Sequence, residues 1–349
     1  MSVLAGACVS RGNSCLPTRG MRRRDFAPVG GNPGKLTKAV GYAEFSQSTL
    51  KCWLLFFNLV GAIAHGMGVA LTLGLGRRDI RLRSYRVVPL KVGNDTLDAV
   101  LEKDVAFYPT WMITIFFSLS LTFHAVISVL LILYSAVPQN KYFALYMKCI
   151  YENIAPWRWL EYSVSASMMV LLSCVLLGLR NIHVLITITG LMTITIVFGW
   201  VTELHSAYLI EDVSESDVLK FCGWQLERRW KPGSWKTRFQ IHALGYLPYG
   251  LLWTIVFDQF RVNMELVGDS IPDFVNIAVI GSFALFTLFG LVQLLLQLLP
   301  FGPSVYWIGE ATYIVLSFAA KAQLGFIVLF QALVEDGMYD SALLLNRDA

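Results

Sequence analysis

Long runs of apolar residues recur along the chain and are separated by shorter polar stretches. A membrane-spanning helix needs about 20 consecutive, mostly apolar residues. Seven segments reach this length, at residues 52–76, 109–137, 154–179, 182–203, 239–257, 274–299 and 305–334. The fifth segment is the least apolar, because it contains His242 and Pro248. The pattern predicts an all-α membrane protein that is a bundle of seven transmembrane helices.

The stretch between the first two segments, residues 77–108, is long and mixed in charge. It contains two short runs that favour strands, 85–88 and 90–92, and the sequence Gly-Asn-Asp follows them at 93–95. Gly, Asn and Asp are typical of the turns that join paired strands. A short hairpin in this stretch is therefore the β-structure that we expect in an otherwise helical protein.

The two ends of the chain differ in composition from the apolar segments. The first 48 residues are rich in Gly and Arg, and Asp25 is their first acid. This composition is typical of a disordered tail, and also of an Arg-rich transit segment. We expect residues 1–48 to be a basic cytoplasmic extension or a transit segment. The helical domain then covers residues 49–337, and residues 338–349 form a short tail.

Composition and charge narrow the class of protein further. Hydrophobic residues make up 56% of the 349 residues and charged residues 15%, whereas average soluble domains have roughly 25% charged residues. The net charge of +4 is also small for a nucleic-acid binder. With seven spans, 17 of the 28 Lys and Arg residues lie on the side of the N-terminus. The positive-inside rule then predicts an integral, multi-pass protein in lipid, with a cytoplasmic N-terminus and an extracellular or lumenal hairpin and C-terminus.

Motifs of common catalytic and metal sites are absent from the sequence. There is no HExxH, GxSxG, P-loop or dinucleotide fingerprint, so we expect no enzymatic activity. The six cysteines form no CxxC pair and show no zinc spacing, so we expect free thiols and no metal site. Five acids follow the fourth segment, and we expect a solvated cytoplasmic face or a partner-docking surface there. They are Glu203, Glu211, Asp212, Glu215 and Asp217.

One lysine lies deep inside an apolar segment. Lys321 is near the middle of the seventh segment and too deep for its amine to reach the membrane surface. An ionisable residue in this position is expensive and indicates a functional site. A buried lysine amine is also the group that forms a Schiff base with an aldehyde. Such a Schiff base is a cation when protonated and needs a counter-ion.

Glu161 in the third segment is the best candidate for that counter-ion. Positions four and seven residues later share its helix face, so Glu161, Ser165 and Met168 form one stripe. An alternative is that Glu161 lies at headgroup level and pairs with Arg158, one turn earlier. In the seventh segment, Ser317 lies one turn before Lys321 and is placed to hydrogen-bond near the lysine nitrogen.

Further polar residues in the segments suggest a cavity. His65 and His124 lie in the middle of the first and second segments, and two histidines at similar depth favour a shared polar cavity over isolated core positions. His242 is a third candidate for this network. Glu310 lies on the Lys321 face of the seventh segment, eleven residues earlier, and is either a member of this polar face or an interfacial residue.

Long motifs in two segments resemble one family. The third segment has RWLEYSVSAS at 158–167, and the seventh has GE at 309–310, YIVLS at 313–317 and AK at 320–321. These motifs, with FGW at 198–200, resemble those of heliorhodopsins. Heliorhodopsins are retinal proteins with the architecture of microbial rhodopsins and an inverted orientation in the membrane. The resemblance covers about residues 50–335, and it implies a rhodopsin-like bundle.

The resemblance also implies a cofactor and a set of site residues. All-trans retinal would be attached covalently to Lys321, with Glu161 as counter-ion and Ser317 at the Schiff base. His65, His124, Glu310 and Arg158 would belong to polar cavities. A homodimer and an unknown cytoplasmic signalling partner are further implications. The retinal pocket would be formed by Tyr162, Ser165, Met168, Met169, Tyr249, Phe286 and Phe289.

The residues around Lys321 favour a sensor over a pump. Pumps that resemble this fold have a second acid one turn before the lysine, where this chain has Ser317. They have a proton donor eleven residues after the counter-ion, where this chain has Leu172. We therefore expect a light sensor with a single carboxylate counter-ion and a slow photocycle.

Two alternatives to the sensor stay open. One is a seven-helix receptor or transporter without retinal, which could retain function in Lys321→Arg because the charge is kept. The other is light-gated passive proton conduction along four side chains, Glu161, Glu310, His65 and His124.

Overall fold

The computed structural model describes residues 47–92, 96–212, 219–221, 224–226, 228–267, 273–298 and 303–334. Nearly all of the expected N-terminal extension, and all of the expected C-terminal tail at 338–349, lie outside the described residues. Glu215 and Asp217, expected on the cytoplasmic face, also lie outside them.

Within these residues, seven long helices coincide with the seven apolar segments, and a short helix precedes the third of them. In chain order the elements are α1 (Gln47–Leu75), β1 (Leu82–Val92), β2 (Thr96–Phe107), α2 (Pro109–Ala136), α3 (Leu145–Tyr151), α4 (Pro156–Leu176) and α5 (Ile182–Leu209). They continue with β3 (Ile210–Asp212), β4 (Leu219–Phe221), β5 (Trp224–Leu226), β6 (Arg228–Trp230), α6 (Trp235–Val267), α7 (Asp273–Leu298) and α8 (Pro303–Val328). A π-helical segment, Leu329–Val334, extends α8.

Six of the described helices are long and apolar enough to cross a membrane, and these are α1, α2, α4, α5, α7 and α8. The exception, α6, is longer than any of these six, with 33 residues. Its apolar stretch is diluted by His242, by glycines and tyrosines, and by Pro248 inside the helix. Proline is tolerated within a helical bundle because neighbouring groups satisfy the freed carbonyl. The seven long helices together form the expected seven-helix bundle.

Local sequence explains where several helices begin. Pro109 and Pro156 occupy the first turns of α2 and α4, where the fixed φ of proline suits a helix and its missing N–H is not needed. Asn181 caps α5 by accepting hydrogen bonds from the main-chain N–H groups of His183 and Val184. These residues fix where α4 and α5 begin, and both helices contribute to the site.

The expected hairpin is present as the antiparallel pair β1–β2, with 11 and 12 residues in its strands. A bulge interrupts the register between Arg83 and Tyr85. The main-chain N–H of Tyr85 donates to the carbonyl oxygen of Arg180 at 2.8 Å. The hairpin is therefore attached to the segment that leads into α5, and it lies at the end of the bundle where α5 begins.

Two further strand pairs were not expected from the sequence. β3 pairs with β6 and β4 pairs with β5, both antiparallel. Opposite charges face each other across the first pair, with Glu211 Oε1 and Arg229 Nε 2.7 Å apart. The sequence did not reveal these two additional pairs, because three-residue strands are too short to produce a recognisable alternation of polar and apolar residues.

The prediction of free thiols was wrong for one residue. Cys149 in α3 is disulfide-bonded. Cys52 and Cys174 are free. Two cysteines that are distant in sequence leave no spacing motif, so a bond of this kind escapes sequence reasoning.

Candidate functional site

Lys321 lies in the middle of α8 and is 2% exposed. Its Nζ donates a hydrogen bond to Ser317 Oγ at 2.7 Å, one turn earlier in the same helix. The same nitrogen lies 3.2 Å from Glu161 Oε1 on α4. The structure therefore brings together the three residues that the sequence assigned to the centre of the site.

Glu161 has a second partner, which sequence reasoning missed. Ser120 on α2 donates a hydrogen bond from its hydroxyl to Glu161 Oε1 at 2.6 Å. Ser120 is fully buried, and it lies one turn from His124 on the same helix. This spacing from a buried histidine was the available signal. The hydrogen bond fixes the carboxylate between two helices and leaves it facing Lys321.

The two mid-span histidines form a stacked pair. The ring centroids of His65 and His124 are 5.3 Å apart, and the ring planes differ by 9°. His124 Nδ1 lies 2.9 Å from Asn58 Oδ1, whereas neither ring nitrogen of His65 has a hydrogen-bond partner. Gly61 permits this packing, because a Cβ there would lie 3.0 Å from the His124 ring. The structure brings these two histidines together, and the polar cavity that they were expected to share stays a prediction.

A cavity borders Lys321 and is lined by residues of α4, α5, α6, α7 and α8. Six of the seven residues expected in the retinal pocket line it: Tyr162, Ser165, Met169, Tyr249, Phe286 and Phe289. Ser165 Oγ is buried and has no hydrogen-bond partner. The wall is mostly apolar and aromatic, with the lysine at its boundary.

Met168 is the expected pocket residue that does not line this cavity. It packs instead against the hydrophobic core. Helical residues are about 100° apart around the axis, so Tyr162, Ser165 and Met169 share one face of α4. Glu161 and Met168 share the adjacent face, which turns towards α2. Glu161 and Met168 thus share a face as predicted. The part of the cavity wall that α4 contributes comes mainly from the face that carries Tyr162, Ser165 and Met169.

Sequence reasoning also missed most of the wall contributed by α5 and α6. Gly199 permits the closest packing there, because a Cβ at Gly199 would lie 2.5 Å from the Trp159 ring. His242 lines this same cavity and not the region of His65 and His124, and its Nε2 has no partner. The other missed wall residues include Trp159, Met192, Thr195, Phe198, Thr202, Tyr246 and Gln293.

A second group of buried charges lies nearer the N-terminal ends of α4 and α8. Arg158 Nη2 is 3.0 Å from Glu203 Oε2, and Arg158 Nη1 forms an ion pair with Glu310. The side chains of all three are at most 6% exposed. We call Arg158, Glu203 and Glu310 the buried charge cluster. The alternative that Arg158 is the partner of Glu161 is not what the structure shows.

The expectation that Glu203 belongs to a solvated face was wrong. Glu203 accepts hydrogen bonds from the main-chain N–H of Ala155 at 3.0 Å and from the side chains of Trp159 and Tyr306. Its position near the end of an apolar run resembled a surface position. The fold buries it because three neighbouring elements supply donors to its carboxylate.

The comparison with known families agrees with this arrangement. The family model described as heliorhodopsin matches residues 54–333, which is most of the chain. The chain belongs to the heliorhodopsin family. A search of curated proteins finds no match to this heliorhodopsin.

Heliorhodopsins are retinal-binding, light-sensing proteins, and the cavity of this member fits the chromophore. Retinal is a long apolar aldehyde, so it requires an elongated apolar cavity, an amine and a balancing negative charge. The cavity supplies aromatic and methionine side chains, and Lys321 and Glu161 supply the amine and the carboxylate. An integral membrane protein with a retinal chromophore therefore follows from the family together with the apolar helices.

Proposed function

We propose that this heliorhodopsin is a light sensor in which retinal is attached to Lys321 and Glu161 is the counter-ion. The observation that supports this proposal most directly is the position of Lys321 Nζ. It lies on an apolar cavity, 3.2 Å from a buried carboxylate and 2.7 Å from the hydroxyl of Ser317. An amine in this position can react with an aldehyde that lies in the cavity.

The protein residues have separate tasks at this site. Retinal, when bound in the all-trans form as an imine of Lys321, supplies absorption of visible light and isomerisation of its polyene. Glu161 balances the positive charge on Nζ, and Ser120 holds the carboxylate in place. Ser317 accepts the hydrogen bond from Nζ and so fixes the direction of its proton. Burial of Lys321, which is 2% exposed, keeps bulk water away from the nitrogen.

The scarcity of acids near Lys321 supports a slow photocycle. Among the described residues, Glu161 is the one acid within ion-pair distance of Lys321. Leu172, at the place of a pump's proton donor, is completely buried. A proton that leaves Nζ has therefore no dedicated donor to replace it. A photoproduct that persists is suited to signalling.

Light-gated passive proton conduction is the second candidate, and the stacked His65–His124 pair is the observation that favours it. A path along these histidines and Glu161 would need a continuation through Glu310. Glu310 is held in an ion pair with Arg158. Gln293 and Gln297 of α7 carry amides and not carboxyl groups, so they supply no additional acid to such a path. This arrangement supports the sensor over the channel.

Flash photolysis and voltage clamp on the same protein separate the two candidates. The sensor account expects a photoproduct that decays over seconds or longer, with no light-induced current at any membrane potential. A current that reverses at the proton equilibrium potential, and that disappears in His65→Phe, would establish the channel instead. A photoproduct that decays within milliseconds would contradict the slow photocycle.

The distribution of Lys and Arg supports an orientation of the sensor in the membrane, and the resemblance to heliorhodopsins supports a dimeric assembly. We propose a cytoplasmic N-terminus and an extracellular or lumenal hairpin and C-terminus, with a homodimer as the assembly. The signalling partner would then be cytoplasmic. Protease accessibility of the hairpin in oriented membrane vesicles tests the orientation, because cleavage from the cytoplasmic side contradicts it.

A further inference from the structure

Trp159 belongs both to the cavity wall and to the surroundings of the buried charge cluster. Its six-membered ring lies so close to Gly199 that a Cβ there would be 2.5 Å away. Its indole Nε1 donates a hydrogen bond to Glu203 Oε2. One rigid side chain therefore connects the surface that faces the chromophore to a buried carboxylate.

The carboxylate at the end of this connection is fully coordinated. Glu203 Oε1 accepts from the main-chain N–H of Ala155 and from Tyr306, while Oε2 accepts from Trp159 and Arg158. A buried carboxylate that loses one donor loses more than the hydrogen bond itself, because no water replaces the donor. A small displacement of the Trp159 ring therefore changes the charge balance of the whole cluster.

Tyr313 restricts the directions in which the Trp159 ring can move. The two rings meet edge to face, with centroids 6.2 Å apart. The other contacts of Tyr313 hold it on both sides: Arg158 lies 4.0 Å from its ring centroid, and its hydroxyl donates to Gln293 Oε1 at 2.6 Å. Phe289, a cavity residue, stacks on the same ring at 5.9 Å.

The buried charge cluster borders a second cavity, which lies away from Lys321. This cavity is lined by Glu203, Tyr306, Ser206, Gln297 and Trp230, among others. Trp230 belongs to β6, and Arg238 lies 3.7 Å from its ring centroid. Glu203 therefore contacts Trp159 of the chromophore cavity and also lines a second cavity, to which Trp230 of β6 contributes.

We propose that Trp159 is a positioning residue that transmits the light-driven change in the chromophore cavity to Glu203. In the dark, the Trp159 indole completes the coordination of Glu203. After illumination, a changed shape of the cavity displaces the indole, weakens this hydrogen bond and changes the environment of the Glu203 carboxylate. This inference rests on the proposed function, because it needs a chromophore in the cavity.

Infrared difference spectroscopy, light minus dark, tests the connection on the full-length pigment. Glu203→Gln identifies the carboxyl bands that belong to Glu203. We expect these bands to lose most of their amplitude in Trp159→Phe, which keeps an aromatic ring but removes the donor. Trp157→Phe is the matched control. It makes the same change in the same helix, at an indole nitrogen without a hydrogen-bond partner, and should leave the Glu203 bands unchanged.

Two results would overturn the inference. One is a wild-type spectrum without any Glu203 band, and the other is a Glu203 band of full amplitude in Trp159→Phe. If Trp159→Phe yields no pigment, a second measurement uses the infrared bands of the indole N–H groups in proteins that retain Trp159. Light should shift one such band in the wild type and not in Glu203→Gln, and the absence of any band that depends on Glu203 overturns the inference. Failure of the wild type to form pigment would instead contradict the proposed function.

Discussion

The two groups of buried charges are built on the same pair of helices but differ in how completely they are coordinated. Near the middle of α8, Lys321 faces Glu161 of α4 with two serine hydroxyls and a cavity beside it. Nearer the N-terminal ends of both helices, Arg158 is enclosed by two glutamates and by the aromatic residues around them. The first group borders the cavity that carries the aromatic wall and the reactive amine, whereas the second borders only the smaller cavity lined by Glu203. This contrast indicates chemistry at Lys321 and structural support, coupled to that chemistry, at Arg158.

Replacement of Lys321 should have the largest effect. Lys321→Arg keeps a positive charge beside Glu161 but removes the amine that forms an imine, so we expect complete loss of visible absorbance. Lys231→Arg is the control, because Lys231 is exposed and bonds only to the Tyr208 carbonyl. Absorption spectra of the two purified variants with all-trans retinal provide the measurement. A visible band in Lys321→Arg would assign the chromophore to another residue.

Replacement of Arg158 tests the structural role of the buried charge cluster. Arg158→Gln leaves Glu203 and Glu310 buried without their cation, and breaking a buried pair in this way costs about 3–5 kcal/mol. Arg261→Gln breaks exposed pairs with Asp258 and Glu265, and exposed pairs contribute little to stability because water screens them. The free energy of unfolding in detergent is the quantity to compare. Equal losses in the two variants would show that the cluster is not a structural element.

The two buried glutamates should differ in their effect on colour. Glu161→Gln removes the negative charge beside Lys321 Nζ, so the positive charge is held less tightly at the nitrogen and the visible band should move to longer wavelength. Glu203→Gln changes a carboxylate beyond the Trp159 ring and should shift the band much less. The absorption maxima of the two variant pigments, each compared with that of the wild type, measure the two shifts. A larger shift for Glu203→Gln would exchange the roles assigned to the two groups.

A change in the close packing between Gly199 and the Trp159 ring should have the smallest and most local effect. Gly199→Ala places a Cβ 2.5 Å from the Trp159 ring, and overpacking of this kind costs about 1–3 kcal/mol. Gly190→Ala in the same helix meets no atom within 4 Å and should be neutral or stabilising, because alanine favours helices. Thermal unfolding of the two variants measures the difference. A Gly199→Ala protein as stable as Gly190→Ala would show that the Trp159 ring moves freely.

The sequence was most informative where a charge interrupts an apolar run. Lys321 and Glu161 stand out because lipid-exposed positions exclude them, and the structure places them together. Ser120 and Trp159 could not be singled out, because serine and tryptophan are ordinary residues of membrane helices. Their importance depends on the residues of other helices that they contact.

Glu203 and Met168 show two further limits of sequence reasoning. Glu203 lies near the end of a long apolar run, where a solvated glutamate is the usual case, and only its contacts with Arg158 and Trp159 reveal that it is buried. Met168 was assigned by its spacing from Glu161, and that spacing was correct. The face that borders the cavity depends on how α4 is rotated against α5, which periodicity within one helix does not determine.

The most direct test of the central claim is the visible spectrum of the purified wild-type protein produced with all-trans retinal. The measurement is repeated with hydroxylamine under illumination, which cleaves an accessible imine. We expect a visible band that bleaches as retinal oxime forms, as an imine at Lys321 beside Glu161 requires. Absence of a visible band at every concentration of retinal would contradict the account and leave Lys321 and Glu161 as an ion pair without a chromophore.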